Sequence, residues 1–173
     1  MTAKTYHKTA TVAASALLLL APATAASDSQ QPSSENALSK IDIIDGPRLI
    51  SKESTRNFED TLSRLQAAVT EKGFRTFAVI DHAAGAASIG ETLRPTTLII
   101  FGNPKGGTPL LQAEQKLGAA LPLKALIYET ADGRVIVATT DIKAVLSAHG
   151  VDDAERAEKI AGVLAALLTA ATD

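Results

Sequence analysis

Four residues have the type and spacing to form a binding site: His82, Asn103, Lys105 and Thr108. Three of them fall in Gly102-Asn-Pro-Lys-Gly-Gly-Thr108, where two glycines enclose four residues between an apolar run and a helical pattern. Such a turn suits anions, because the free amides and the dipole of a following helix point at bound negative charge. A nucleotide phosphate loop would place Lys and then Ser or Thr directly after its second glycine. Here Thr108 and Pro109 follow Gly107, and the lysine, Lys105, lies inside the loop. Pro104 and Pro109 each remove an amide donor. The pattern therefore argues against nucleotide binding. It leaves a weaker anion site on Asn103, Lys105 and Thr108, beside the alternative of a tight turn whose glycines and Asn103 take positive φ.

His82 follows Asp81 at the end of a predicted strand. Strand ends commonly carry functional side chains, and a general acid or base there needs a second polar group within hydrogen-bond reach of a substrate. Asp81 is a poor orienting partner, since neighbours in a strand point to opposite faces. The competing reading is a histidine that bonds to backbone and fixes the next loop. His149 is the other histidine beyond the N-terminal segment. Two histidines and a carboxylate can hold a metal, but nothing in the spacing brings these two together, so no metal site is assigned. The chain has no cysteine, which excludes thiolate catalysis, zinc-thiolate sites and disulfides. No Gly-x-Ser-x-Gly frame surrounds Ser88, no residue is assigned as catalytic, and no cofactor is called for.

The elements that must position these residues read as follows. Leu49–Glu53 predicts a first strand. A helix follows, capped by Ser54 or Thr55, with Phe58, Leu62, Leu65 and Val69 on one face and Gly73 at its C-terminus. Phe74–Ile80 predicts a second strand, and Ala83–Glu91 a loop or short helix. Thr96–Phe101 is a continuous apolar strand, and Gly102–Gly107 is the turn. Thr108 then caps a helix that has Pro109 in its first position and runs to Gly118. Lys124–Thr130 and Arg134–Thr140 form a hairpin through Ala131-Asp-Gly133. Ile142–Ala148 and a last helix, from a cap at Asp152 to about Thr169, close the chain. Ile160, Val163, Leu164, Leu167 and Leu168 form the stripe of the last helix. The order β-α-β-β-α-β-β-α-α predicts an α+β domain: a single mixed sheet of about five strands with helices packed on one face.

The N-terminus has a different character. Lys4, His7 and Lys8 precede the uncharged run Thr9–Leu20, and Ala23-Thr-Ala25 follows Pro22. That order predicts a secretory signal over residues 1–25, cleaved after Ala25 or Ala26. Residues 26–40 are polar and predict a disordered tether, and 41–173 a single domain. Removing residues 1–25 takes Lys4 and Lys8 and no acid, which moves the net charge from −2 to −4. An acidic balance gives no support to nucleic-acid binding. No later run is apolar enough to span a bilayer, so a periplasmic location is expected. Hydrophobic residues make up 46% of the chain and aromatics 3%. The core must therefore be aliphatic, and stacking platforms for bases are not expected.

Several uncommon strings occur in order: Ile80-Asp-His-Ala-Ala84, Leu93-Arg-Pro-Thr96, Ile100-Phe-Gly-Asn-Pro-Lys-Gly-Gly-Thr-Pro-Leu110, Leu121-Pro-Leu-Lys-Ala-Leu126, Asp132-Gly133 and His149-Gly150. On these the chain resembles the bacterial domain of unknown function 302 family, over roughly residues 48–150. The resemblance implies a small α+β domain and no assigned activity. Family members often carry Met at the position of Leu111 and Asp at that of Ala120, so a ligand role resting on either residue is lost here.

These readings converge on an exported, non-catalytic module that binds a small ligand, an anion or a protein partner near His82 and the Asn103–Thr108 segment. One alternative is an enzyme using His82 as general acid or base. Another is a structural or homodimerising module, with the hairpin and the Ala/Leu-rich last helix as the faces to search.

Overall fold

The computed structural model describes residues 49–173. The expected signal and tether lie outside the described residues, as do residues 41–48 of the expected domain. The strands are β1 (Leu49–Glu53), β2 (Arg75–Asp81), β3 (Thr96–Gly102), β4 (Leu123–Glu129) and β5 (Val135–Thr140). The helices are α1 (Phe58–Glu71), α2 (His82–Ala87), α3 (Pro104–Ala113), α4 (Ile142–Ala148) and α5 (Ala154–Thr172), with a 3-10 segment at Gln115–Ala119.

The five strands make one open sheet in the order β1-β5-β4-β3-β2. The α+β class and strand number are as expected. Every pairing is antiparallel, however, where a mixed sheet was expected. The reason lies in the connections. A β-α-β unit gives parallel neighbours only when its helix crosses back over the sheet. Here the chain leaves β3 at Gly102 and re-enters at Leu123, whose partner is Phe101. Residues 103–122 are thus an excursion at one end of the sheet, not a crossover. The β1-α1-β2 unit does join strands of like direction, but they form opposite edges.

Alternation within the strands sets the layers. Ile99 and Phe101 of β3, Ile127 of β4 and Val137 of β5 are fully buried against Leu65 and Val69 of α1 and Leu164 and Leu167 of α5. This side-chain set is aliphatic apart from Phe101, which Phe74 meets edge-on at 5.5 Å between centroids. The opposite face of β3 and β4, carrying Leu98, Ile100 and Leu126, is only half-covered.

Local chemistry moved two helix starts. The α1 cap is Asn57, whose side chain accepts from the Asp60 amide at 2.8 Å, not Ser54 or Thr55. Those two hydroxyls are spent elsewhere, Ser54 on Thr61 at 2.8 Å and Thr55 on the Thr172 carbonyl at 3.0 Å. α5 starts after Asp153, one residue beyond Asp152, because Asp153 is the residue that accepts from the Arg156 amide. Gly73 ends α1 as expected, at φ +74°, with the Phe74 amide bonded back to Val69.

Candidate functional site

The excursion at residues 103–122 differs from the turn read in the sequence. Gly102–Gly107 is not an open loop. α3 begins at Pro104, five residues ahead of the start expected at Pro109, and Pro109 sits inside it. Asn103 is the cap, at φ −135°, and its side-chain oxygen accepts from the Lys105 amide at 2.9 Å. Its amide group donates to the Gly73 carbonyl at 3.0 Å. Asn103 therefore latches α3 to the end of α1 and has little left for a ligand. Among the described residues positive φ occurs at Gly73, Gly90, Gly133 and Gly150, so neither Asn103 nor the glycines of this segment needs it.

The same geometry removes the backbone anion cradle. Pro104 has no N–H, Lys105 N–H goes to the Asn103 side chain, and Gly106 and Gly107 N–H both go to the Asn103 carbonyl at 3.0 Å. No first-turn donor remains for a phosphate. Any negative charge held here must be held by side chains.

His82 stands apart from this segment. It is the exposed first residue of α2, after Asp81, whose carboxylate caps that helix by accepting from Ala84 at 2.9 Å. In the β2–β3 pair Asp81 faces Thr97, and Arg75 faces Gly102. His82 and Asn103 thus lie at opposite ends of a seven-residue strand, about 20 Å apart at roughly 3.3 Å per residue. The site that joined them in the sequence reading does not form. His149 is fixed to its own helix through Nδ1 and the Val145 carbonyl, 2.8 Å apart. Among the described residues no group of three His, Asp or Glu is arranged to hold a metal.

Asn103, Lys105 and Thr108 do come together, along one wall of a cavity of about 710 Å³ at the sheet end. The opposite wall is the first half of α5, through Arg156, Lys159, Ile160 and Val163, one face of a helix at i, i+3, i+4, i+7. Leu110, Leu111, Leu121 and Leu123 form the apolar interior, and Phe74 and Phe77 close the β2 side. Phe77 is the extra residue of a β-bulge: Thr76 faces Phe101 and Ala78 faces Ile100, with Phe77 between. Bulges re-aim side chains, and this ring lies against Gly102, where an added Cβ would come within 2.9 Å of it. Gly102 thus leaves room for the Phe77 ring. Lys124 secures the far end of the excursion by donating to the Ala120 and Pro122 carbonyls at 2.8 and 3.1 Å; partial burial lowers its pKa.

The charged residues on this cavity are Lys105, Arg156 and Lys159, all cationic. Arg156 pairs with Asp153 through Nε at 2.8 Å, and that bond holds the Asp153 carboxyl below its usual range. Lys105 and Lys159 enter no ion pair among the described residues. The sequence reading missed Arg156, Lys159 and Phe77, and took Gly102 only as part of the turn. The signal for the first two was present: basic residues flanking the N-terminal end of the α5 stripe, where Ile160 and Val163 are only half-buried. The bulge had no such signal. Arg94 lies outside the cavity lining, its Nε donating to the Glu129 carbonyl at 3.0 Å.

Fold and cavity define an α+β domain whose open antiparallel sheet carries an apolar, cation-rimmed hollow at one end. The chain belongs to the family described as Domain of unknown function DUF302, whose model matches residues 50–169. A crystal structure of an uncharacterized conserved DUF302 protein from Bacillus stearothermophilus shares the fold, with TM-score 0.64 and 20% identity, covering 71% of this chain and 97% of that one. Two curated relatives are each 40% identical over 93 residues, 54% of this chain. One is the fluoride-specific ion channel FluC 1 of Brucella suis biovar 1 (strain 1330), of which the match covers 37%. The other is the fluoride-specific ion channel FluC 2 of Brucella melitensis biotype 1 (strain ATCC 23456 / CCUG 17765 / NCTC 10094 / 16M), of which it covers 34%. The chain spans about a third of the length of these relatives. Among the described residues no helix is long and apolar enough to cross a membrane.

Proposed function

We propose that this is an exported, non-catalytic domain that takes a small molecule into the cavity between α3 and α5. The observation that carries the reading is the cavity itself: about 710 Å³, apolar inside and polar at its rim. That size and lining are typical of small-molecule sites. The absence of a general-acid partner argues against the enzyme alternative, since His82 lies outside the cavity and Asp81 is committed to capping α2. Export is supported by the order of basic, apolar and small residues over residues 1–25.

The test is saturable binding of the neutral fluorescent dye N-phenyl-1-naphthylamine to the purified chain. Val163→Trp fills the cavity and abolishes the signal, whereas Val79→Trp, on the exposed part of β2, leaves it intact. Equal dye binding by wild type and a folded Val163→Trp variant would sink the reading.

A second reading has one observation behind it. The curated relatives are named as channels, and the match covers about a third of each, which favours a module that works beside a membrane transport protein. Fluoride itself suits this cavity poorly. A small hard anion needs close donors, and the first-turn amides of α3 are already bonded. We expect sodium fluoride to move the melting temperature no further than sodium chloride does; a fluoride-specific rise would favour the second reading.

A further inference from the structure

We propose that the ligand is an amphiphilic anion: a carboxylate-type head group held by Lys105, Lys159 and the free end of Arg156, on an apolar body packed within the cavity. This rests on the reading of the cavity as a binding site and goes on to name what enters it.

The sign of the charged lining is the first indication. Lys105, Arg156 and Lys159 line the cavity and no acid does, although the whole chain is net negative. Local composition therefore runs against the global balance. The second step is commitment. Six ion pairs occur among the described residues, and none uses Lys105 or Lys159. Arg156 uses Nε on Asp153, while its two terminal nitrogens make no hydrogen bond among the described residues. A guanidinium with that edge uncommitted can present two donors to a carboxylate.

The third step is placement. Lys105 comes from the first turn of α3, and Arg156 and Lys159 come from the first two turns of α5. The cations therefore reach the same hollow from two helices, with Lys105 and Lys159 exposed at its edge. Below them the lining is Leu110, Leu111, Leu121, Ile160 and Val163. A small inorganic anion would leave that surface wet, and a neutral oil would leave the cations without a partner. A molecule with an anionic head and an apolar body satisfies both.

The test is displacement of N-phenyl-1-naphthylamine by decanoate, 1-decanol and acetate. Decanoate should displace the dye at a concentration about tenfold below that of decanol, the scale of one charge-assisted hydrogen bond. Acetate should not displace it. In the Lys105→Gln/Lys159→Gln double variant, decanoate and decanol should act within about threefold of each other, each compared with the variant's own dye affinity. Equal displacement by decanol and decanoate in the wild type overturns the anionic head group while the cavity reading stands. So does a double variant that leaves decanoate unaffected. A wild-type chain that binds no dye and no amphiphile overturns both. Co-sedimentation with phosphatidylglycerol vesicles that retains the dye would assign these cations to a membrane surface, and also overturns the proposal.

Discussion

Asn103→Ala separates a ligand contact from a positioning residue. The wild-type side chain makes two bonds: its oxygen accepts from the Lys105 amide at 2.9 Å, and its nitrogen donates to the Gly73 carbonyl at 3.0 Å. Loss of an N-cap costs about 1 kcal/mol. Loss of a neutral hydrogen bond between partly covered groups costs about another 1 kcal/mol. The expected destabilisation is thus about 2 kcal/mol, which for a domain of this size lowers Tm by about 8 °C. Asn103→Asp is the informative companion. It keeps an oxygen for the Lys105 amide and adds a charge favoured at a helix N-terminus, but it loses the donor to Gly73. It should cost about half as much as alanine. Urea unfolding at constant m-value reads both numbers. If Asn103→Ala stays within about 0.5 kcal/mol of wild type and yet loses decanoate, Asn103 touches the ligand and the positioning argument is wrong.

Three other substitutions have defined outcomes. Gly102→Ala puts a methyl 2.9 Å from the Phe77 ring; the half-exposed ring can swing away, so stability should fall by only about 1 kcal/mol while dye affinity drops, and a variant with wild-type dye binding would exclude Phe77 as a cavity wall. His82→Ala should leave both melting temperature and dye affinity unchanged, because the side chain is exposed and remote from the cavity; a loss of either measured quantity would restore His82 as a functional or structural residue. Asp132 is held down to about 2 by the Thr130 hydroxyl and the Arg134 guanidinium. A depressed carboxyl contributes stability above its ordinary value of 3.8, and loses it as pH falls through about 2. Asp132→Asn should therefore flatten the melting temperature between pH 4 and 2, and parallel wild-type and variant curves would contradict that sign.

Much of the fold was legible because periodicity and glycine placement report local backbone. β1 and α4 fall on their expected residues, and Gly73 and Gly133 end a helix and turn a hairpin at positive φ, as their contexts require. The hydrophobic stripe of α5 was legible as well, though not its division of labour: Leu164, Leu167 and Leu168 are buried while Ile160 and Val163 face the cavity. What escaped were competitions between residues of equal local merit. Asn103-Pro104 and Thr108-Pro109 are both plausible cap-proline pairs. Asn103 wins because its side chain can also reach Gly73, thirty residues away, a contact no local pattern encodes. Strand direction escaped for a similar reason, since a helix between two strands reads alike whether it crosses a sheet or folds back beside it.

That choice of cap also decides the chemistry of the site. Had α3 started at Thr108, the Gly102–Gly107 amides would be free, and the segment would be an anion site built from backbone. Starting at Pro104 consumes those amides and turns the glycines into small helical residues with nothing within 4 Å of an added Cβ at either Gly106 or Gly107. Small residues there leave room beside the helix, and the leucines at 110 and 111 supply its apolar lining. The segment thus exchanges polar recognition by the main chain for a hollow that an apolar group can enter, and leaves charge recognition to Lys105 and the α5 cations. An anion-specific function that survives Lys105→Gln/Lys159→Gln intact would have to lie elsewhere on the domain.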